Sequence, residues 1–186
     1  MDVTDDNTPM ESAGSGIRWG RIAIWVAVAL VLLFVALGLI NAFATQPQEG
    51  RAPDFTLDTY SGETYTLSEL RGQVVVVNFW ASWCQPCASE APALEATWQD
   101  YKDQGVVFLG VDYVDSEEKA QEYLEKYGVT YPNGPDLGTR ISDAYRIRGV
   151  PETFIVNADG EVTFFAQQAL TYEQLSAEID RALADS

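Results

Sequence analysis

Histidine is absent from the 186 residues of this chain, and cysteine occurs only twice, at Cys84 and Cys87. The missing histidine closes several routes. A Cys–His or Ser–His nucleophile pair has no base. A copper site of the Cys/His kind has no imidazole. Two cysteines alone make a poor structural zinc site, which takes four ligands. Basic residues are scarce too: 11 Lys and Arg stand against 28 Asp and Glu, a formal net charge of −17. Phosphate binding needs clustered cations, which argues against nucleic acid as a partner, and the acidity reads as a solubilising surface. No cofactor or metal is expected.

Polarity divides the chain. Residues 1–21 are polar with no apolar period, as expected for a disordered cytoplasmic tail. Residues 22–40 then form 19 consecutive uncharged, largely apolar positions. As a helix they would reach about 29 Å, close to the hydrocarbon thickness of a bilayer. A soluble core helix would show a polar stripe, and this run has none. Ala42-Phe43-Ala44 has the small-x-small look of a signal cleavage site. The run is longer than the usual signal core, which favours a retained transmembrane anchor. Arg18 and Arg21 precede it, so the N-terminus is expected in the cytoplasm and the C-terminal part outside. Residues 41–51 read as a linker, and 52–186 as the folded domain.

Within that domain, two short β stretches flank Ser61-Gly62 as a hairpin, and Ser68 is placed to cap a short helical turn. Val74–Trp80 is almost wholly apolar, as expected for a central strand buried on both faces. Helix is expected over 84–103, strand over 106–111, and helix over 116–127 with Ser116 as cap. A short helix follows at 139–145. Strands at 153–157 and 162–166 meet at Asp159-Gly160, and an amphipathic helix with Leu175, Ile179 and Leu183 on one face closes the chain at 171–184. This order predicts an α/β domain: a central mixed sheet with helices on both faces and an N-terminal β-hairpin extension, preceded by the transmembrane helix.

Cys84 and Cys87 fall where a strand hands over to a helix. The helix N-terminus stabilises a thiolate through its unpaired N–H groups and the macrodipole. The spacing puts both sulfurs on one face, within bridging reach. Cys84, at the tip, is the expected attacking thiol, and Cys87 the resolving one. A purely structural disulfide would close too small a loop to stabilise much. Glu90 stands three residues further along the same face and could carry protons for Cys87; read from the residues alone, a surface glutamate is an equal reading. Pro151 precedes a strand, where a cis turn and an ordinary trans proline are both open. Trp80 and Trp83 read as packing residues, with Trp83 also able to cover the site.

The run Asn78-Phe79-Trp80-Ala81-Ser82-Trp83-Cys84-Gln85-Pro86-Cys87-Ala88-Ser89-Glu90-Ala91-Pro92 resembles the thioredoxin-fold thiol-disulfide oxidoreductases of the TlpA/ResA type. Ala52-Pro53-Asp54-Phe55 looks like the opening of their redoxin domain. Gly149-Val150-Pro151-Glu152-Thr153-Phe154 is similar to their cis-proline loop in the cytochrome c maturation branch. The resemblance covers about 52–184. It implies a thioredoxin fold, Cys84 and Cys87 as the redox pair, Glu90 as an active-site acid and Pro151 as cis. It further implies a single-pass membrane protein whose domain faces outward. The implied client is a protein disulfide, notably that of the haem-attachment cysteines of apocytochrome c, and the implied electron donor is a transmembrane thiol carrier. Ordinary thioredoxin has a buried aspartate where this chain has Asn78, which leaves Glu90 as the proton carrier. Gln85-Pro86 between the cysteines and a nearby carboxylate disfavour the thiolate and predict a reducing protein. A wider envelope thiol reductase serving copper-site assembly, a peroxiredoxin-like peroxidase and a metal-holding dithiol module remain as alternatives. The peroxidase lacks its expected Pro/Thr loop with arginine, and the metal module lacks histidine.

Overall fold

The computed structural model describes residues 19–42 and 46–185. The chain divides into two units after Ala44. The first contains helix α1, Trp19–Ala42. It starts before the expected anchor and takes in residues 19–21, read from sequence as tail; residues 1–18 lie outside the described residues. Among the described residues, no helix is long and apolar enough to cross a membrane, and the expected anchor is not established by the structure.

The second unit is built on β4, Val74–Trp80, whose seven residues are all buried. Four consecutive valines suit a pleated surface covered on both sides. β4 pairs in parallel with β5, Val106–Tyr113, and antiparallel with β7, Glu152–Val156. β5 carries β6, Asn133–Asp136, in parallel, and β7 carries β8, Glu161–Ala166, antiparallel. β1, Gly50–Arg51, adds to β8 and gives the order β1-β8-β7-β4-β5-β6. A separate hairpin joins β2, Thr56–Asp58, to β3, Thr64–Thr66.

Side chains alternate across β4. Val75, Val77 and Phe79 pack with Phe55, Leu57 and Leu67 and with Ile141 and Tyr145 of helix α4, Arg140–Tyr145. Val74 and Val76 face the other way, onto Leu94 and Tyr101 of α2, Gln85–Tyr101, and Leu175 and Ile179 of α5, Tyr172–Ala184. Further along that second face, Trp80 meets both cysteines and Ala120 and Tyr123 of α3, Glu117–Tyr127. Helices thus cover both faces, as the element order predicts.

Four details differ from the sequence reading. Gly50 and Arg51, placed in the linker, pair with Val162 and Glu161. Asn133-Gly134-Pro135-Asp136 carries no β signal, yet it forms β6. Tertiary fit decides there: Asn133 Oδ1 accepts from Trp80 Nε1 at 2.8 Å, and Tyr60 N donates to Asn133 O at 2.8 Å. Ser116 caps α3 by position only, since its hydroxyl makes no capping bond; Glu117 and Glu118 in the first turn complement the helix dipole instead. Ser68 lies inside the 3₁₀ turn Leu67–Leu70 and donates its N–H to Asp54 Oδ1 at 2.9 Å.

Gly134 fixes the hairpin against β6: a Cβ there would stand 2.2 Å from the Asp58 carbonyl oxygen. Gly134→Ala should therefore push the hairpin off β6 and cost about 1–3 kcal/mol, as overpacking does. Urea unfolding checks this, and an unchanged midpoint would show that the hairpin yields freely.

Candidate active site

The site grows from the end of β4. Burial of Val74–Trp80 fixes that strand, and residues 81–84 turn the chain into α2. Cys84 is the N-cap of α2, in extended conformation, and Pro86 sits in the first turn, where a missing N–H costs nothing. Cys84 and Cys87 are joined as a disulfide with their Cα atoms 5.3 Å apart. The Cys87 N–H points at Cys84 Sγ at 3.1 Å, so a donor of the first turn that has no partner within the helix is aimed at the outer sulfur. Both sulfurs are largely covered, but Cys84 is 4% exposed against 1% for Cys87.

The loop before β7 closes over this sulfur. The Val150–Pro151 bond is cis, and the Val150 carbonyl oxygen lies 3.4 Å from Cys84 Sγ. In the dithiol form that carbonyl can accept from the Cys84 S–H, whereas it repels a thiolate. Two backbone groups therefore act on one sulfur with opposite sign.

Glu90 is 1% exposed, so the surface alternative does not hold. It shares the buried face of α2 with Cys87, Ala91 and Leu94. Asn78 Nδ2 donates to Glu90 Oε1 at 3.0 Å, and the Leu170 N–H donates to Oε2 at 3.1 Å. Burial pushes the Glu90 carboxyl from 4.5 up to about 7, and the two hydrogen bonds offset this only in part. A carboxyl titrating near neutrality is suited to exchange protons at ordinary pH. Asn78 also donates to Thr153 Oγ1 at 3.0 Å, tying β7 to the same network. Cys84, Cys87, Glu90 and Pro151 are thus gathered at one end of the sheet.

Other polar residues of the site escaped the sequence reading. Asp112, at the end of β5 beside Trp80, is fully buried. Tyr60 Oη donates to its Oδ2 at 2.7 Å, while Oδ1 has no partner among the described residues. Burial raises the Asp112 carboxyl to about 7, with nearby Asp115 adding to the rise and the Tyr60 bond opposing it. Tyr60 itself is pushed well above its ordinary value, first by burial and then by Asp112. Asp115 accepts the Ser82 N–H at 2.7 Å and so holds the turn before Cys84. Glu152, directly after Pro151, is buried and accepts the N–H groups of Arg148 and Gly149 at 2.9 and 3.2 Å. For Glu152 a signal existed in its position beside the proline; Asp112 lay in an apolar strand pattern that gave none. Trp83, expected to pack, is 61% exposed, while Trp80 is the packed one. Among the described residues, no three Cys, Asp or Glu side chains gather into a metal-holding group.

A cysteine pair capping a helix, faced by a cis-proline loop across a mixed sheet, defines a thioredoxin-fold thiol-disulfide oxidoreductase. Comparison with known proteins agrees. Residues 49–165 match the model of the AhpC/TSA family. The chain is 36% identical over 148 residues to the thiol-disulfide oxidoreductase ResA of Bacillus subtilis (strain 168), covering 76% of this chain and 82% of that protein. It is 33% identical over 145 residues to ResA of Halalkalibacterium halodurans, covering 77% and 82%. A thiol:disulfide interchange protein of Chlorobium tepidum TLS superposes with a TM-score of 0.67 at 25% identity, over 75% of this chain and 98% of that one. A secreted Mycobacterium tuberculosis disulfide oxidoreductase homologous to E. coli DsbE gives 0.62 at 28%, over 68% and 95%. The chain belongs to the AhpC/TSA family and, within it, to the ResA-like thiol-disulfide oxidoreductases.

Two outcomes follow from the buried carboxyls. The Glu90 carboxyl titrates near 7 when folded and near 4.5 as an unperturbed group. The folded state therefore binds its proton more tightly, and that stability is whole below pH 4.5 and lost as pH rises through 7. The loss is on the order of 3 kcal/mol. For the oxidised protein, the unfolding free energy of wild type should fall more steeply between about pH 5 and 8 than that of Glu90→Gln; parallel curves would disprove the burial argument. Tyr60→Phe strips the donor from Asp112 Oδ2 and should cost about 1–3 kcal/mol in denaturant unfolding. A neutral effect would mean that Asp112 finds another donor.

Proposed function

We propose that this protein reduces disulfides of client proteins on the outer side of the cytoplasmic membrane, held there by α1, in the maturation of c-type cytochromes. The observation that carries the reducing direction is the Val150 carbonyl oxygen 3.4 Å from Cys84 Sγ, with the Glu90 carboxyl buried on the same helix as Cys87. Both disfavour negative charge on sulfur. A reduced form that is not stabilised as thiolate gives its electrons away readily.

The reaction runs in two displacements. The Cys84 thiolate attacks one sulfur of the client disulfide, forming a mixed disulfide and releasing the other client sulfur, which takes up a proton. Cys87 then loses its proton, with Glu90 as the acceptor, and attacks Cys84 Sγ. The second client sulfur leaves as a thiolate and takes up the proton that Cys87 released, so the client has gained two electrons and two protons and Cys84–Cys87 is oxidised. A transmembrane thiol carrier restores the dithiol by the reverse exchange.

Support for the anchor comes from α1, whose described large apolar side chains, Trp25 and Phe34 among them, are all exposed. A helix apolar on every side matches lipid better than water. Arg18 and Arg21 at its start favour a cytoplasmic N-terminus. The client assignment rests on the Pro151-Glu152-Thr153-Phe154 loop and on the likeness to ResA.

Cys87→Ser in cells should accumulate a Cys84-linked mixed disulfide with an apocytochrome c, separable on a non-reducing gel. The purified chain should reduce a protein disulfide, show no turnover of hydroperoxide, and equilibrate with glutathione at a potential below about −200 mV. A value near −120 mV, that of a strong oxidant, would overturn the direction. Capture of envelope proteins without any cytochrome would overturn the client.

A further inference from the structure

Gln46 lies four residues past the end of α1 and three before the stretch shared with the family, residues 49–165. Nothing in its sequence position suggests a role in the site. Yet its side chain is 5% exposed, and Nε2 donates to Glu152 Oε2 at 2.6 Å. The other oxygen, Oε1, accepts from the N–H groups of Arg148 and Gly149 and from Gln167 Nε2, at 2.9, 3.2 and 2.9 Å. Four uncharged donors thus converge on one fully buried carboxylate at the first position of β7. That carboxylate braces residues 148–151, the loop whose Val150 carbonyl faces the Cys84 sulfur.

We propose that Gln46 is a positioning residue for thiol-disulfide exchange: by supplying the donor to Glu152 Oε2, it holds loop 148–151 and sets where the Val150 carbonyl stands against Cys84. The segment that follows α1 is then part of the support of the redox centre and not a passive spacer. The physical reason is that a buried carboxylate oxygen stripped of its donor is left unsatisfied and must move to regain one. That movement disturbs the bonds its other oxygen takes from the Arg148 and Gly149 N–H groups. The inference rests on the exchange chemistry of the dithiol and not on the proposed client or direction.

The test uses the full chain in detergent, reduced, with Cys84 alkylation by iodoacetamide followed against pH and the exchange rate with oxidised glutathione measured alongside. Gln46→Met, which keeps length and removes the amide, should shift the alkylation midpoint and change the exchange rate roughly fivefold. Gln46→Ala, which cannot overpack, should give the same shift. In a Glu152→Gln background either substitution should change the rate less than about twofold, because the partner is already altered. A merely structural role would move the urea midpoint while leaving the pH profile of Cys84 in place, and that result overturns the proposal. So does an equal shift in both backgrounds. A wild-type chain that is alkylated normally but fails to reduce a client disulfide would count against the proposed function and leave this test readable.

Discussion

Burial of the Glu90 carboxyl is the constraint around which the redox end of the domain is arranged. One oxygen takes its hydrogen bond from Asn78 on the central strand and the other from the Leu170 backbone ahead of the last helix. The residue itself belongs to the helix that Cys84 caps. The central strand, α2 and the segment leading into α5 therefore meet on one titratable group. Satisfying it in a dry interior requires all three to be in place at once. The position of Cys87, one turn earlier, follows from that docking.

Most of this was legible before any coordinates. The four-valine run announced a strand covered on both faces, and the cysteines at its end announced a helix tip, because apolar length and residue spacing are local properties. Cys84, Cys87, Glu90 and Pro151 could be named for the same reason, the last two with help from the resemblance. What stayed hidden was long-range. β6 reads as a turn in Asn133-Gly134-Pro135-Asp136, and only the Trp80 indole and the Tyr60 backbone make it a strand. Asp112 sits in an apolar pattern whose partner lies 52 residues earlier. Gln46 meets a residue 106 positions away. The packing reading of Trp83 failed because aromatic character alone does not say which way a turn will point it.

Asn78 links the sheet to the carboxyl on α2 without being titratable itself. An amide cannot ionise, so it cannot do what a buried aspartate does at the same place; it orients a carboxylate from the neighbouring helix and a hydroxyl from the neighbouring strand. Its own Oδ1 is without a partner among the described residues. The titratable group near the inner sulfur is thus on the helix, one turn beyond Cys87, and not on the sheet.

The two margins of the sheet have a consequence for life at high local concentration. On one side Gly50–Arg51 covers Glu161 and Val162, and only Thr163–Ala166 of β8 continue past it. On the other, Pro135 interrupts the donor row, and the hairpin turn binds Asn133 O. Each margin thus offers a neighbouring molecule only a short template for edge-to-edge stacking, the first step toward aggregates. Crowded copies would thus meet through their acidic, mutually repelling exteriors.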